Sequence, residues 1–232
     1  MNQFCDVYQV RAFISDLDGT LLDVRERTAQ AHLIALQRAG YKIELEQIRA
    51  LNRYSLDSRE LLSHLNIELS PRDFSRYIRN LQHAFYAGWH FAKIVPGALN
   101  ALKTIRKKTK VMQLITSRHV MKITQLEVRK FGLDNYFDGV FTRGDLAKDE
   151  GVDLIPLLPF VPHRRRLIQL ALRDVEPDGQ VWVSGDTPGE LEAAKSLGCI
   201  TIGVLSGVAF QEDLAPFAHH ILDSIADIGQ LI

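Results

Sequence analysis

The sequence predicts an α/β protein: a doubly wound parallel sheet that carries an inserted α-helical cap. Three observations predict it. Short apolar runs alternate with segments of helical periodicity over most of the chain. Acidic and hydroxyl residues recur at the ends of those runs, where open α/β sheets hold their ligands. One stretch, about residues 22–94, carries helix signals and no convincing strand.

The first apolar run, Val10–Ser15, reads as a buried strand. Others follow at Val111–Ile115, Val140–Thr142, Val181–Ser184 and Ile200–Leu205, with Ile221–Leu222 as a short edge strand. Helical patterns fill the intervals at about 97–108, 119–131, 164–173 and 188–197. Gly132 and Gly198 stand where helix C-terminal glycines belong. Strands separated by helices imply parallel pairing with helices on both faces.

In the exceptional stretch, Leu33, Leu36 and Ala39 repeat at helical spacing, and Asp57-Ser-Arg-Glu60 has the form of a capping box. Ser70 followed by Pro71 is an N-cap with proline at the first helical position, opening a helix expected to reach about Phe91. Pro96-Gly97 marks the return. The chain thus divides into a core of residues 1–21 and 95–232 and a helical cap of residues 22–94. Pro156, Pro159 and Pro162 make the segment 149–163 an irregular loop in this reading, packed against the cap.

Composition excludes several function classes. The 232 residues hold 28 Lys+Arg and 28 Asp+Glu, so no net field draws the chain to nucleic acid or an anionic membrane. Two cysteines make neither a disulfide framework nor a cysteine zinc site. No apolar run approaches the roughly 18–20 residues that span a bilayer. A cytoplasmic protein, monomeric or dimeric, is expected.

The chemistry lies in the strand ends. Asp16-Leu-Asp18-Gly19-Thr20 follows the first strand, and residues two apart on an extended chain point to one side. Two carboxylates about 4 Å apart repel by about 4 kcal/mol at an effective dielectric of 20. A shared Mg²⁺ offsets that cost, or one carboxyl has a raised pKa and acts as a general acid. Gly185-Asp186-Thr-Pro-Gly-Glu190 brings two more acidic groups to another strand end. Thr116-Ser117 follows the strand 111–115 and precedes a helix, a seat for phosphate oxygens. Together these point to phosphoryl chemistry with Mg²⁺ and an aspartate nucleophile.

With these residues the chain resembles the haloacid dehalogenase-like hydrolases, most closely the phosphoglycolate phosphatase and β-phosphoglucomutase branch. D-x-D-G-T at Asp16–Thr20, Thr116, and G-D-T-P-G-E at 185–190 with the following Leu-Glu-Ala-Ala-Lys carry the resemblance. It implies a Rossmann-like core and a Mg²⁺-dependent phosphatase acting on a small phosphorylated metabolite. Asp16 would be the nucleophile and Asp18 the general acid and base. Asp16, the Asp18 carbonyl and Asp186 would hold the metal, with Glu190 behind them or in place of a metal-bound water, and Thr116 and Ser117 would hold the phosphate. The acid at position 18 favours a phosphatase over a dehalogenase. A phosphomutase and a catalytically weak phospholigand-binding protein are the alternatives.

One departure stands out. The family's K-P-x-P lysine has no counterpart in Phe160-Val-Pro-His-Arg-Arg-Arg-Leu167. Lys148 is the expected replacement, with Arg164, Arg165 or Arg166 as substitutes; an arginine run at a helix N-terminus opposes the dipole and makes sense beside an anion. Arg53 and Arg59 lie in the cap where the family's specificity loop would fall, and either would be placed to touch an anionic substrate group. Phe85, Tyr86 and Trp89, at the end of the long cap helix, read as core.

Overall fold

The computed structural model describes residues 10–51, 58–151, 160–175 and 179–232. Its main sheet has six parallel strands: β1 (Val10–Asp16), β4 (Val111–Thr116), β5 (Gly139–Thr142), β6 (Gln180–Gly185), β7 (Ile200–Val204) and β8 (His220–Leu222). Their order is β5-β4-β1-β6-β7-β8. The direction of winding reverses beside β1, so a crevice opens at its C-terminal end. Side chains alternate across the sheet. Phe13 of β1 enters the apolar core on one face, with Leu102 and Ile105 of α5 (Ala98–Arg106). Ile14 enters the other, with Ile168 of α8 (Phe160–Ala171) and Ala193 of α9 (Pro188–Lys195).

The chain leaves the sheet through β2 (Leu22–Asp23) and returns through β3 (Lys93–Ile94), which pair antiparallel. Between them lie α1 (Arg25–Arg38), α2 (Leu45–Leu51), α3 (Ser58–His64) and α4 (Pro71–Ala87). These helices gather around an apolar cluster of their own, including Leu36, Ile48, Leu61 and Tyr77. The Ser70 hydroxyl accepts from the Asp73 N–H, as the N-cap reading requires. The helix it opens stops at Ala87, short of Phe91, and residues Trp89–Phe91 form a separate 3₁₀ turn after Gly88. The proposed cap at Asp57 and the candidate Arg53 lie outside the described residues.

The loop expected over 149–163 is corrected at its C-terminal end, and a helix the sequence reading missed leads into it. A helix α7 spans Arg143–Asp149, opened by a reciprocal cap in which Thr142 and Asp145 exchange hydrogen bonds. Helix α8 begins at Phe160, not 164. Pro162 is tolerated because it falls in the first turn, where an N–H has no intrahelical partner. Residues 152–159 lie outside the description. Gly132 and Gly198 have φ of +68° and +76°, the left-handed conformation expected after a helix. Two further helices complete the chain, α6 (Met121–Lys130) after β4 and the short α10 (Gln211–Leu214) after β7. Among the described residues no helix is long and apolar enough to cross a membrane.

Leu102 is fully buried beneath the sheet. Leu102→Ala should cost about 2–5 kcal/mol of unfolding free energy, measured by urea denaturation, because the cavity cannot close without moving α5.

Candidate active site

The end of β1 and the turn after it deliver Asp16 and Asp18 into one cleft of about 220 Å³, with Thr116, Ser117, Arg164 and Asp186 also on its walls. Ligand oxygens of Asp16, Asp186 and Glu190 all lie within 4.8 Å of one another, and all three residues are buried. Asp186 ends the turn after β6, and Glu190 stands in the first turn of α9. The backbone makes room for them. A side chain at Gly19 or Gly207 would collide with the Asp186 carboxylate, and one at Gly185 with Glu190.

One cation enters this cluster. Arg164, in the first turns of α8, donates from Nη1 to Asp16 Oδ1 at 2.9 Å and lies 3.2 Å from Glu190 Oε1. Lys148, the expected replacement for the missing lysine, is exposed on α7. The cationic place is taken by the arginine run instead, and by its buried first member. Arg165 and Arg166 are exposed, and Arg166 pairs with Glu150.

Three carboxylates against one guanidinium leave a buried excess of negative charge. Burial pushes the Asp186 carboxyl up to about 7, with Asp16 adding to the rise. Burial also lifts Glu190 well above the usual carboxylate range, against the pull of Arg164. Asp16 is raised by burial too, with Arg164 opposing. Neither Glu190 oxygen receives a hydrogen bond. Asp186 Oδ2 accepts one from the Val208 N–H at 3.1 Å. Compact, oxygen-only and under-neutralised, this donor set fits a hard divalent cation.

Asp18 is held differently. Both its oxygens accept from Arg118, Nη2 at 2.6 Å and Nε at 2.8 Å. Its side chain is thus outside the acidic cluster. Arg118 also meets Glu127 of α6, Nη1 lying 2.9 Å from Oε2. Glu127 Oε1 in turn accepts from Arg27 of α1 at 2.6 Å, and Arg27 Nε donates to the Phe85 carbonyl of α4. Burial pulls the Arg118 basicity down, but Asp18 and Glu127 outweigh it and the net shift is upward. This chain of buried charges runs from the inserted helices to the acid at the sheet edge. Residues 118, 127 and 27 were not assigned roles from sequence, since a charged residue in a turn or on a helix ordinarily reads as solvated.

The phosphate seat expected at Thr116 and Ser117 lies on the same cleft wall. Thr116 Oγ1 accepts from the Arg118 N–H at 3.3 Å, while the buried Ser117 hydroxyl oxygen has no hydrogen-bond partner. A larger cleft, about 700 Å³ between α3 and α4, includes none of these residues. Arg59 lies on its wall and stacks on Phe74, its guanidinium carbon 4.1 Å from the ring centre.

Comparison with known proteins agrees with this geometry. A family model described as haloacid dehalogenase-like hydrolase matches residues 13–204, more than half of the chain. The chain belongs to the haloacid dehalogenase-like hydrolase family. A phosphoglycolate phosphatase from Vibrio cholerae is 26% identical over 232 residues, covering 96% of both chains. Among solved structures, a haloacid dehalogenase-like family hydrolase from Streptococcus pneumoniae superposes with a TM-score of 0.75 at 20% identity, covering 96% of this chain and 98% of its own. A Thermotoga maritima protein assigned as a β-phosphoglucomutase gives 0.65 at 22% identity, covering 96% and 100%. These relatives and neighbours include both phosphoglycolate phosphatases and a β-phosphoglucomutase-like protein.

Two outcomes follow from these charges. The raised Asp186 keeps a proton in the folded, metal-free protein that the unfolded chain releases near 4, so this group's contribution to stability falls as pH rises from there toward 7. A divalent cation displaces that proton. The rise in Tm on adding the cation should therefore be larger at about pH 8 than at about pH 5.5, and Asp186→Asn should abolish it, as read by thermal scans with and without EDTA. Separately, Glu127→Gln leaves Arg27 and Arg118 buried without their shared counter-charge and should cost about 3–5 kcal/mol in urea unfolding.

Proposed function

We propose that this chain is a Mg²⁺-dependent phosphatase of small phosphorylated metabolites that works through an aspartyl-phosphate on Asp16. Its class, a phosphoric monoester hydrolase, follows from the family and from relatives that are phosphatases. The observation that carries the residue assignment is the joint placement of Asp16, Asp18, Thr116, Ser117, Arg164 and Asp186 on one cleft at the reversal point of the sheet.

Asp16, Asp186 and Glu190, with the carbonyl of Asp18, would hold the metal. Bound there, Mg²⁺ neutralises the excess carboxylate charge and screens an incoming phosphate from Asp16. Arg164 keeps the Asp16 oxygen in position and adds a fixed positive charge beside the phosphoryl group. The Ser117 hydroxyl and Thr116 hold phosphate oxygens. An Asp16 oxygen attacks phosphorus, the bond from phosphorus to the alcohol oxygen breaks, and Asp18 gives that oxygen its proton. One of the two Arg118 hydrogen bonds to Asp18 must yield to the leaving oxygen. In the second step Asp18 takes a proton from water, the hydroxide attacks phosphorus, and phosphate leaves Asp16 free again. The inserted helices would act as a cap that excludes bulk water. Arg164 also answers the gap left by the missing lysine, which removes the motive for a binding-only protein.

With p-nitrophenyl phosphate as substrate, turnover should need Mg²⁺ and stop with EDTA. Asp16→Asn should abolish it, whereas Asp18→Asn should lower kcat by roughly 10²–10⁴-fold on an alkyl phosphate, whose leaving oxygen needs the proton. Near-normal rates for Asp16→Asn would remove the nucleophile assignment.

A further inference from the structure

A second cleft opens on the other side of Asp18. It has about 250 Å³ and shares Asp18, Thr28 and Ser117 with the cleft that holds the acidic cluster. Asp18 therefore borders both the cleft with the acidic cluster and this second space, which is within reach of an alcohol leaving from Asp16.

The walls of that space are specific. Leu81, Phe85 and Tyr86 come from α4, and His32 from α1. Phe85 and Tyr86, read from sequence as core, line the cleft instead. The polar side chains of His32, Gln82, Tyr86 and His119 are neutral and paired. His32 Nδ1 meets the Tyr77 hydroxyl, Gln82 Nε2 meets His119 Nε2 at 3.0 Å, and the Tyr86 hydroxyl accepts from the His119 and Val120 N–H groups. Burial lowers the His32 pKa to about 4 and lowers that of His119 as well, so both rings are uncharged near neutrality. The one cation on the described wall, Arg118, is committed to Asp18 and Glu127.

From this we infer that the substrate's alcohol portion is uncharged and carries an apolar ring, in contrast to the two-carbon acid released from phosphoglycolate. The inference rests on the phosphatase reading above and deepens it. An engineered apolar cavity of about 150 Å³ takes benzene, so this space holds one ring and a short linker. A carboxylate brought here would lose its water beside Leu81 and Phe85 and find Arg118 already bound on two sides.

The test compares benzyl phosphate with 2-phosphoglycolate on the full-length, Mg²⁺-loaded protein. Both release a primary alcohol, so they differ chiefly in what sits in the second cleft. kcat/KM should favour benzyl phosphate by tenfold or more, mostly through KM. Gln82→Lys, which adds a cation to the wall, should shrink that ratio at least fivefold. Acetyl phosphate, whose small leaving group does not need the cleft, separates the two ways of failing. Turnover of acetyl phosphate with equal or reversed preference between the two esters overturns the inference alone. If acetyl phosphate is not hydrolysed either, the phosphatase reading falls and takes the inference with it.

Discussion

Mutual repulsion among Asp16, Asp186 and Glu190 is the constraint around which this molecule is arranged. Carboxylates within 4.8 Å of one another in a buried setting repel by about 3–4 kcal/mol per ionised pair at an effective dielectric of 20. The fold tolerates this because rigid strands end there and because α8 brings Arg164 to Asp16 and Glu190. Glycines at 19, 185 and 207 let backbone segments close around the two distal carboxylates without a collision. What Arg164 does not neutralise is the site's capacity to bind a cation. The stability given up at these residues is recovered from the apolar layers on both faces of the sheet.

A second electrostatic arrangement ties the inserted helices to the core. Arg27 on α1, Glu127 on α6, and Arg118 after β4 form a buried sequence of ion pairs that ends on Asp18. Each charge is compensated by a neighbour, so removing any one leaves another stranded. The arrangement ties the orientation of the Asp18 carboxylate to the seating of α1 and α4 on the sheet. The apolar cleft beside Asp18 is lined by those same helices, so one docking contact sets both the Asp18 carboxylate and the shape of that cleft.

The architecture was readable because it rests on local signals. Apolar runs such as Val10–Ser15 and helix-ending glycines such as Gly132 are short-range patterns, and the observed strands and left-handed glycines follow them. Misreadings arose where two signals competed. The three prolines of 149–163 masked the start of α8 at Phe160, while the Thr142–Asp145 cap that opens α7, a threonine three residues before an aspartate, went unread. Phe85 and Tyr86 were read as core since helical spacing marks apolar residues without saying which face a neighbour covers.

Sequence alone determined that strand ends would bear Asp16, Asp18, Thr116, Asp186 and Glu190, for the carboxylates and hydroxyl adjoin recognisable strands. It determined too that a basic group was missing from its usual place. Which cation fills that place was decided only by tertiary structure. Lys148 and Arg164 lie sixteen positions apart and both had a case; α8 points the arginine inward while α7 leaves the lysine in solvent. The same holds for the partner of Asp18, since Arg118 meets it across one hundred residues of chain. Buried ion pairs depend on distances between elements, and a linear sequence records spacing only within them.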